Sequence, residues 1–350
     1  MLTDYKQVVN DFSTPRSKEF SKKKSEKEWK KIAFLRFKSR IMMQTEKIMW
    51  DDKEWQYRFA GAQKPYSHPV IKQLRQEVFF HTTQAVEAGG YITAEGKSVT
   101  LPLHEHIAEE SCFYDKKLPA GEGNPGVETV IEVVARDCLA FARSLVQEQG
   151  LEVCVLNMAS ATMPGGGVLN GSGAQEEYLF RCSDYYRSLY QYIDFGHMFG
   201  VPKAAQSYPM HRQYGGIYTP RVTVFRDTEA RGYALLEVPF HINCIAVAGI
   251  NHPATILLEG EERIEDSVLP TIYNKMRTIF RIAKRHQQQT LVLGAWGCGA
   301  FGNPPRHIAA LFKEVIQEPE FQGTFRHIYF AIKGGPSGGN YTPFKEILQP

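Results

Sequence analysis

The sequence contains no long apolar run and no closely spaced pair of cysteines, and each absence excludes a class of protein. No stretch approaches the roughly 20 apolar residues that a membrane-spanning helix needs, and the segment Met1–Lys6 lacks the apolar region of a signal peptide. The six cysteines show no C-x-x-C spacing, which disfavours a disulfide framework. We therefore predict a cytoplasmic protein with no membrane partner, although a nuclear or host-delivered protein is compatible with the same features.

The chain also lacks a strong net charge, since 41 Lys and Arg residues against 38 Asp and Glu residues leave only +3. This near balance excludes a nucleic-acid binder that works through its overall field. Basic residues concentrate between Lys18 and Arg40, where Trp29, Phe34 and Phe37 are interleaved. Two interpretations of this run stay open: a solvated helical face, which such runs usually form, or a contact with nucleic-acid phosphates.

Beyond about residue 70, predicted strands and helices alternate, which is typical of an α/β layered fold. The chain of 350 residues can bury a sizeable core, and it shows no internal repeat. We expect a basic, mostly helical N-terminal extension over residues 1–69 and an α/β domain over residues 70–350. In that domain we predict helices over residues 70–88, 137–146, 175–192, 264–285 and 306–316, a hairpin over residues 91–101, and strands over residues 129–135, 151–157, 221–225, 242–249, 290–295 and 325–332.

One glycine-rich loop is followed at once by two acidic residues. The three glycines Gly165–Gly167 allow φ > 0 and let the backbone approach a ligand closely. The spacing Ser172-x-x-Gln175 predicts a capping box, so that a helix starts there with Glu176 and Glu177 in its first turn. An ordinary helix start has the same composition, because glutamates complement the helix dipole. The predicted buried strand before the loop favours a ligand site at a strand's carboxyl end.

A second glycine-rich loop, Gly294–Pro304, joins a predicted strand to a predicted helix. We expect Asn303 to cap that helix and Pro304 to occupy its first position. Backbone N–H groups at such a loop and helix N-terminus form an anion site that suits a diphosphate.

The second loop also matches the G-x-G-x-x-G spacing of dinucleotide-binding folds, with Gly297, Gly299 and Gly302. That fingerprint requires an acidic residue after the next strand, where this sequence has Lys333. The loop is also too close to the C-terminus for the second half of a Rossmann sheet. A nicotinamide-dependent oxidoreductase is therefore disfavoured.

The segment 104–112 contains four candidate zinc ligands, because H-x-H beside an acid and a thiol can bind zinc. They are His104, His106, Glu109 and Cys112. A second ligand pair at finger spacing is missing, so we predict no metal and no cofactor. Asp137 precedes a predicted helix and is either its N-cap or a ligand contact.

With both loops in view, the sequence resembles the microbial-type poly(ADP-ribose) glycohydrolases of the macrodomain superfamily. The family signature is three glycines, a short spacer and Gln-Glu-Glu; here Gly165–Gly167 and Gln175–Glu177 are separated by seven residues. The likeness extends over about residues 70–335 and includes the segments Arg75–Val78, Gly89–Tyr91, Gly96–Lys97, Leu156–Ala161 and Leu293–Gly302. Residues before this range are not covered by it.

The resemblance implies a macrodomain-like three-layer sandwich with a central mixed sheet, preceded by the N-terminal helical extension. ADP-ribose would lie across the carboxyl ends of the strands, with Glu177 as the catalytic acid/base and Glu176 holding ribose hydroxyls. Phe301 would pack on a ribose. The substrate contacts implied by the resemblance are Gly165, Gly166, Gly167, Gln175, Asn157, Asp137, Gly297, Cys298, Gly299, Ala300, Phe301 and Gly302.

The implied activity is hydrolysis of the O-glycosidic ribose–ribose bond of poly(ADP-ribose), acting from the chain end. Such cleavage needs a protonated carboxyl at the leaving oxygen and then a carboxylate that activates water. Two adjacent carboxylates disfavour double ionisation, whereas the helix N-terminus favours it. Two alternatives stay open: removal of mono(ADP-ribose) from a modified protein or nucleic acid, and a reader that binds ADP-ribose without cleaving it.

Overall fold

A computed structural model describes residues 49–124 and 126–349 of the chain. The basic run between Lys18 and Arg40 lies outside these residues, so its two interpretations stay open. The division at residues 69 and 70 likewise stays a prediction. Among the described residues, no helix is both long and apolar enough to cross a membrane.

A mixed sheet of seven strands forms the centre of the domain. Its strands are β3 (Cys112–Tyr114), β4 (Val130–Val134), β5 (Cys154–Ala159), β6 (Gly216–Arg226), β7 (Leu235–Ala248), β10 (Thr290–Leu293) and β11 (His327–Ala331). They lie in the order β3-β6-β7-β5-β10-β11-β4. Strands β7, β5, β10, β11 and β4 are mutually parallel, whereas β6 and β3 are antiparallel to their neighbours.

Helices cover both faces of this sheet. They are α1 (Asp52–Ala62), α2 (His68–Glu87), α3 (Cys138–Gln149), α4 (Gln175–Cys182), α5 (Tyr186–Leu189), α6 (Leu269–Arg285), α7 (Pro305–Ile316) and α8 (Tyr341–Leu348). Two small antiparallel hairpins, β1 (Gly90–Ile92) with β2 (Ser98–Thr100) and β8 (Thr255–Leu258) with β9 (Glu261–Ile264), lie outside the main sheet.

The apolar side chains form two clusters, one on each face of the sheet. In β5, Val155 belongs to the first cluster and Leu156 to the second, as expected when successive residues of a strand point to opposite faces. Helices α2, α3 and α4 contribute buried residues to the first cluster, and α6, α7 and α8 to the second. The predicted three-layer arrangement around a mixed sheet is thereby confirmed.

The predicted continuous helix over residues 175–192 is wrong, because α4 ends at Cys182. Ser183 is extended, with φ −149° and ψ 174°, and forms a bridge with Val224 of β6. A residue that pairs with a strand cannot continue a helix, so α5 begins afresh at Tyr186. The apolar spacing predicted the buried face correctly but carried no sign of the break.

The predicted start of the helix over residues 264–285 is also wrong. Ile264 is the last residue of β9 and pairs with Thr255. Helix α6 begins at Leu269, with Pro270 in its first turn, where the missing N–H of proline leaves no hydrogen bond unmade.

Candidate active site

The two glycine-rich loops and Asp137 leave the sheet at one edge. Because β4, β5 and β10 are parallel, their carboxyl ends share that edge, which is where open α/β sheets bind ligands. Strands β5 and β10 are direct neighbours, and Gly294 lies so close to Met158 that an added Cβ would stand 2.8 Å from its Cε. The fold therefore brings the predicted site segments to one side of the domain.

The first loop is built on positive φ angles that glycine tolerates. Gly165 has φ +75° and Gly166 has φ +54°. A Cβ on Gly166 would lie 2.5 Å from Oε1 of Glu177 and 3.1 Å from Oε2 of Glu176. Both carboxylates thus contact one glycine, and no other residue fits between them without displacing the pair.

Glu176 is held almost entirely by backbone N–H groups. Its Oε2 accepts a hydrogen bond from Ser160 N at 2.7 Å, and its Oε1 accepts from Gly165 N at 3.0 Å and from Asn157 Nδ2 at 3.4 Å. Its side chain is 3 % exposed. Burial raises the pKa of Glu176 from 4.5 to about 8; the charge of Glu177 also raises it, and the hydrogen bonds from Ser160, Gly165 and Asn157 oppose the change.

Glu177 keeps one oxygen free. Its Oε1 accepts a hydrogen bond from Gly167 N at 2.8 Å. Its Oε2 is buried and has no hydrogen-bond partner among the described residues. Buried polar atoms are rarely left unsatisfied in a native protein, so this oxygen is the acceptor of the pair that is left for a further hydrogen bond.

The predicted capping box is wrong, because α4 has Ala174 as its N-cap and no side chain caps it. The side-chain amide of Gln175 instead forms two hydrogen bonds with the backbone of β5. Its Oε1 accepts from Met158 N at 3.0 Å, and its Nε2 donates to Leu156 O at 2.7 Å. This amide is fully engaged with the protein, and it fixes the start of α4, and hence Glu176 and Glu177, to the strand.

Asn157 lies in the middle of β5 and is fully buried. Its Nδ2 contacts Glu176, whereas its Oδ1 has no hydrogen-bond partner among the described residues. Of the two glutamates, Asn157 therefore contacts Glu176, the one whose two oxygens both accept hydrogen bonds.

The side-chain amide of Asn303 holds the second loop through hydrogen bonds to backbone carbonyls. The prediction that Asn303 caps the helix is wrong. Its Nδ2 donates to Ile250 O at 2.7 Å, to Gly297 O at 2.9 Å and to Phe301 O at 3.2 Å. Pro304 is the N-cap of α7, and Pro305 is its first residue. The amide thus cross-links the loop to the segment that follows β7, which shapes the loop before any ligand binds.

Several backbone positions of this second loop face outward. Gly299, Ala300 and Gly302 are exposed, and a Cβ on Gly299 would meet nothing within 4 Å. Cys298 is partly buried, and burial raises the pKa of its thiol. Neutral thiol, small side chains and accessible backbone make this loop suited to contact an anion through N–H groups.

Phe301 packs against the end of β7. A Cβ on Gly249 would lie 3.2 Å from its ring, and its carbonyl accepts a hydrogen bond from His252 N at 2.8 Å. The ring is only partly buried, so part of it stays available for contact with a ligand.

Asp137 is the N-cap of α3. Its Oδ1 accepts from Leu139 N at 3.0 Å, from Ala140 N at 3.2 Å and from the hydroxyl of Tyr178 at 2.8 Å. The capping alternative is therefore observed, and the Tyr178 bond ties this cap to the helix that carries both glutamates. A ligand contact by Asp137 stays a prediction.

No group of three or more potential metal ligands comes together in the described part of the chain. At the candidate metal ligands His104 and His106, each ring lies near a different carboxylate. His104 Nε2 lies 2.9 Å from Glu110 Oε2, and His106 Nδ1 lies 3.9 Å from Glu109 Oε2. Each histidine has its own carboxylate neighbour, and the two pairs do not converge.

Three roles that shape the site were not predicted from the sequence: those of Ser160 and Arg181, and the contact of Asn303 with the loop. Ser160 directly follows β5, so its position at the carboxyl end of a predicted strand was a usable signal for an N–H donor. Arg181 donates to Ser172 O at 2.7 Å, and nothing local in the sequence indicates that contact.

Comparison with known proteins places this geometry in a family. The family described as "Microbial-type PARG, catalytic domain" matches residues 80–227. No curated protein sequence matches the chain.

Solved structures are similar over most of the chain. The poly(ADP-ribose) glycohydrolase of Thermomonospora curvata shares 30% identity over 78% of this chain and 98% of its own, with a TM-score of 0.61. The same protein bound to the inhibitor ADP-HPD shares 29% identity with the same coverage and a TM-score of 0.60.

The poly(ADP-ribose) glycohydrolase of Deinococcus radiodurans in complex with ADP-ribose shares 27% identity over 72% of this chain and 99% of its own, with a TM-score of 0.53. Matching sequence, fold and near-complete coverage of these relatives agree with the resemblance that the two loops indicated. The chain belongs to the microbial-type poly(ADP-ribose) glycohydrolase family.

Proposed function

We propose that this chain is a glycosidase that hydrolyses the O-glycosidic ribose–ribose bond of poly(ADP-ribose) from the chain end, with Glu177 as general acid and base. The observation that carries the proposal is the state of the Glu177 carboxylate. One oxygen is fixed by Gly167 N, and the other is buried and unpartnered. A catalytic acid must be held in place and yet leave one oxygen for the reacting atoms, and this carboxylate meets both requirements.

Glu177 acts first as the acid: a proton on its Oε2 passes to the leaving ribose oxygen as the bond from the anomeric carbon to this oxygen breaks. The resulting carboxylate then takes a proton from water, whose oxygen bonds to the oxocarbenium-like carbon. ADP-ribose is released, and Glu177 carries its proton again.

In this proposal Glu176 binds the substrate and takes no part in bond cleavage. Its oxygens accept N–H bonds from the loop and from Ser160, so it is fixed more tightly than Glu177. From that position it orients the ribose hydroxyls. Gln175 and Asn157, assigned to the substrate from sequence, act through the carboxylates and the strand that they hold.

The ligand is ADP-ribose, and its recognition follows from the two loops. The relative from D. radiodurans is a complex with ADP-ribose, and the one from T. curvata is bound to ADP-HPD. The segment Gly297–Gly302 would contact the diphosphate through N–H groups, Phe301 would pack on a ribose, and the glycines of the first loop would line the distal ribose. These contacts need neither a metal nor a cofactor.

The macromolecular partner is the ADP-ribose polymer or an ADP-ribosylated protein. A nucleic-acid contact through the basic run between Lys18 and Arg40 is a further prediction, to be measured as salt-dependent binding to an oligonucleotide. The cytoplasm suits the six free cysteines, because thiols persist in a reducing compartment.

Replacement of the catalytic carboxyl tests the proposal. Glu177→Gln keeps an oxygen for Gly167 N but cannot donate or accept the catalytic proton, so release of ADP-ribose from the polymer should fall by about 10²- to 10⁴-fold. Calorimetric binding of ADP-ribose should persist. Glu132→Gln, at an exposed position of β4, is the matched control and should keep full activity.

Three outcomes separate the functions. Wild-type protein that binds ADP-ribose but releases none from polymer would be a reader. Activity on a modified peptide or oligonucleotide without activity on polymer would indicate a mono(ADP-ribosyl) hydrolase. Equal polymer cleavage by the wild type and Glu177→Gln would remove Glu177 from the mechanism.

A further inference from the structure

A buried arginine lies on the same helix as the catalytic pair and reaches back to the loop before that helix. Arg181 is 1 % exposed. Its guanidinium NH1 donates to Ser172 O at 2.7 Å, and its Nε donates to the hydroxyl of Tyr233 at 2.8 Å. Arg181 lies one turn beyond Glu177 on α4, so its side chain closes a short ring between the helix and the loop.

The network continues beyond Tyr233 to a second helix. The hydroxyl of Tyr233 donates to Glu229 Oε2 at 2.9 Å. Glu229 in turn accepts two bonds from Arg75 of α2, at 2.8 Å and 3.0 Å. The Glu229 carboxylate is therefore bonded directly to Arg75 and, through the Tyr233 hydroxyl, to Arg181. Charged and buried hydrogen bonds of this kind fix geometry strongly.

Arg75 and the backbone of its helix, α2, also pack against the loop. A Cβ on Gly173 would lie 2.2 Å from Arg75 NH1, and one on Gly171 would lie 2.0 Å from Lys72 O. The loop thus lies directly on α2. A neighbouring side chain, Gln76, donates through Nε2 to Leu169 O at 2.7 Å. Two loop carbonyls and two loop glycines are accordingly fixed by groups from outside the loop.

The same loop holds the catalytic carboxylate. Gly167 donates its N–H to Glu177 Oε1, and Gly167 O accepts from Asn170 N at 2.8 Å and from Ser172 N at 3.1 Å. Ser172 is therefore bonded on one side to Arg181 and on the other to Gly167. Ser172 is thus bonded to the carbonyl of Gly167, the residue whose N–H fixes Oε1 of Glu177.

We propose that Arg181 is a positioning residue for catalysis, which acts through Ser172 and Gly167 to fix the orientation of the Glu177 carboxylate, with Tyr233, Glu229 and Arg75 as its support. The inference rests on the proposed function and adds to it a residue that does not touch substrate. Arg181 sets the rate of bond cleavage and leaves the diphosphate contacts, which come from the second loop, unchanged.

The chain offers a matched control in Arg226, a second arginine that is 1 % exposed and contacts Tyr233. Its guanidinium donates to Thr82 Oγ1 at 2.7 Å and to Tyr233 O at 2.9 Å, and its NH2 lies 2.5 Å from His81 Nδ1. It has no bond to the loop at residues 165–174. Loss of Arg226 should destabilise the fold without moving Gly167.

The experiment compares Arg181→Met, Arg181→Lys and Arg226→Met with the wild type. For each we would measure the melting temperature, the Kd of ADP-ribose, and the kcat and KM on polymer per folded molecule. We expect Arg181→Met to lower kcat by about 30- to 100-fold, since misplacement of a catalytic group by about 1 Å has that effect. The Kd of ADP-ribose should change less than threefold, and Arg181→Lys should recover part of kcat because one donor returns. Arg226→Met should lower the melting temperature but keep kcat within about twofold.

Amide hydrogen exchange gives a readout independent of activity. Exchange over residues 165–174 should accelerate in Arg181→Met while exchange over β5 stays at the wild-type rate. If Arg181→Met does not fold, Tyr233→Phe, which removes the hydroxyl acceptor of Arg181 Nε, serves instead and should give the same pattern at smaller amplitude.

Wild-type kcat in a folded Arg181→Met, equal losses of kcat in Arg181→Met and Arg226→Met, or unchanged exchange of the loop would each overturn the positioning role. Absence of polymer cleavage by the wild type would instead overturn the proposed function. In that case, hydrogen exchange alone would test whether Arg181 holds the loop in place.

Discussion

At the scale of single residues, two adjacent glutamates on one short helix have different environments. Glu176 accepts N–H bonds on both oxygens, whereas Glu177 accepts one and keeps Oε2 free. The sequence pointed to the pair and, by resemblance, to Glu177. The structure supplies the physical distinction, because N–H groups of Ser160, Gly165 and Gly167 are divided unequally between neighbouring carboxylates.

The raised pKa of Glu176 makes a prediction about stability. Because its pKa rises from 4.5 to about 8 on folding, the folded state binds a proton over this interval that the unfolded state has released. The unfolding free energy should therefore fall as pH rises between about 5 and 8, with a slope of up to about 1.4 kcal/mol per pH unit from this group.

Glu176→Gln removes this contribution, so the unfolding free energy of the wild type minus that of the variant should decrease with pH over the same range. Denaturant titrations of both proteins at pH 5, 6, 7 and 8 measure the difference, and titrating groups that do not interact with Glu176 cancel in it. A difference that stays constant or increases with pH would contradict the assigned direction.

At the scale of elements, the loop before α4 depends on glycine for two separable reasons, conformation and space. Gly166 has φ +54°, and a Cβ on it would lie 2.5 Å from Oε1 of Glu177. Gly96, in the turn between β1 and β2, has φ +83°, but a Cβ there would meet nothing within 4 Å. Gly166 and Gly96 therefore share the left-handed backbone conformation, but only at Gly166 would a side chain clash with a neighbouring residue.

Gly166→Ala should therefore lower polymer cleavage by at least about 10²-fold, because the methyl group displaces the catalytic carboxylate. Gly96→Ala should cost about 1–2 kcal/mol of stability from the left-handed backbone and keep kcat within about twofold. Steady-state kinetics and denaturant titrations of both variants check this. Similar kcat values for the two would show that the contact with Glu177 is unimportant.

Element boundaries were predicted well where local signals suffice and poorly where a distant partner intervenes. The hairpin around Gly96 and the helix that ends before Gly89 follow from turn and cap residues. The break at Ser183 and the bracing by Asn303 could not be read locally, because the partners Val224 and Ile250 lie far away in the sequence.

At the scale of the whole molecule, the described residues before position 69 pack into the domain. Trp55 of α1 is 2 % exposed, and its Nε1 donates to Leu74 O of α2 at 3.0 Å. Phe59 stacks on it with ring centroids 4.6 Å apart. The predicted division between residues 69 and 70 would separate Trp55 from Leu74, whereas a cut after Lys47 would keep this contact.

Two truncations test where the domain begins. A chain that starts at Ile48 keeps the contacts of Trp55 and is the reference for the measurement. A chain that starts at Val70 should lose about 3–5 kcal/mol, the cost of removing a large buried aromatic residue. Denaturant unfolding of both chains measures this, and equal stability would support the division at residue 69.

The sequence by itself determined the class of fold, the two glycine-rich loops and the acidic pair, because strand and helix periods, glycine runs and short spacings act over a few residues. Tertiary structure alone decided which carboxylate oxygen is free, that Gln175 anchors a strand edge, and that Arg181 and Asn303 hold the loops. Those properties depend on hydrogen bonds and burial between segments that meet only when the sheet has formed, and burial is what makes each bond, or its absence, energetically significant.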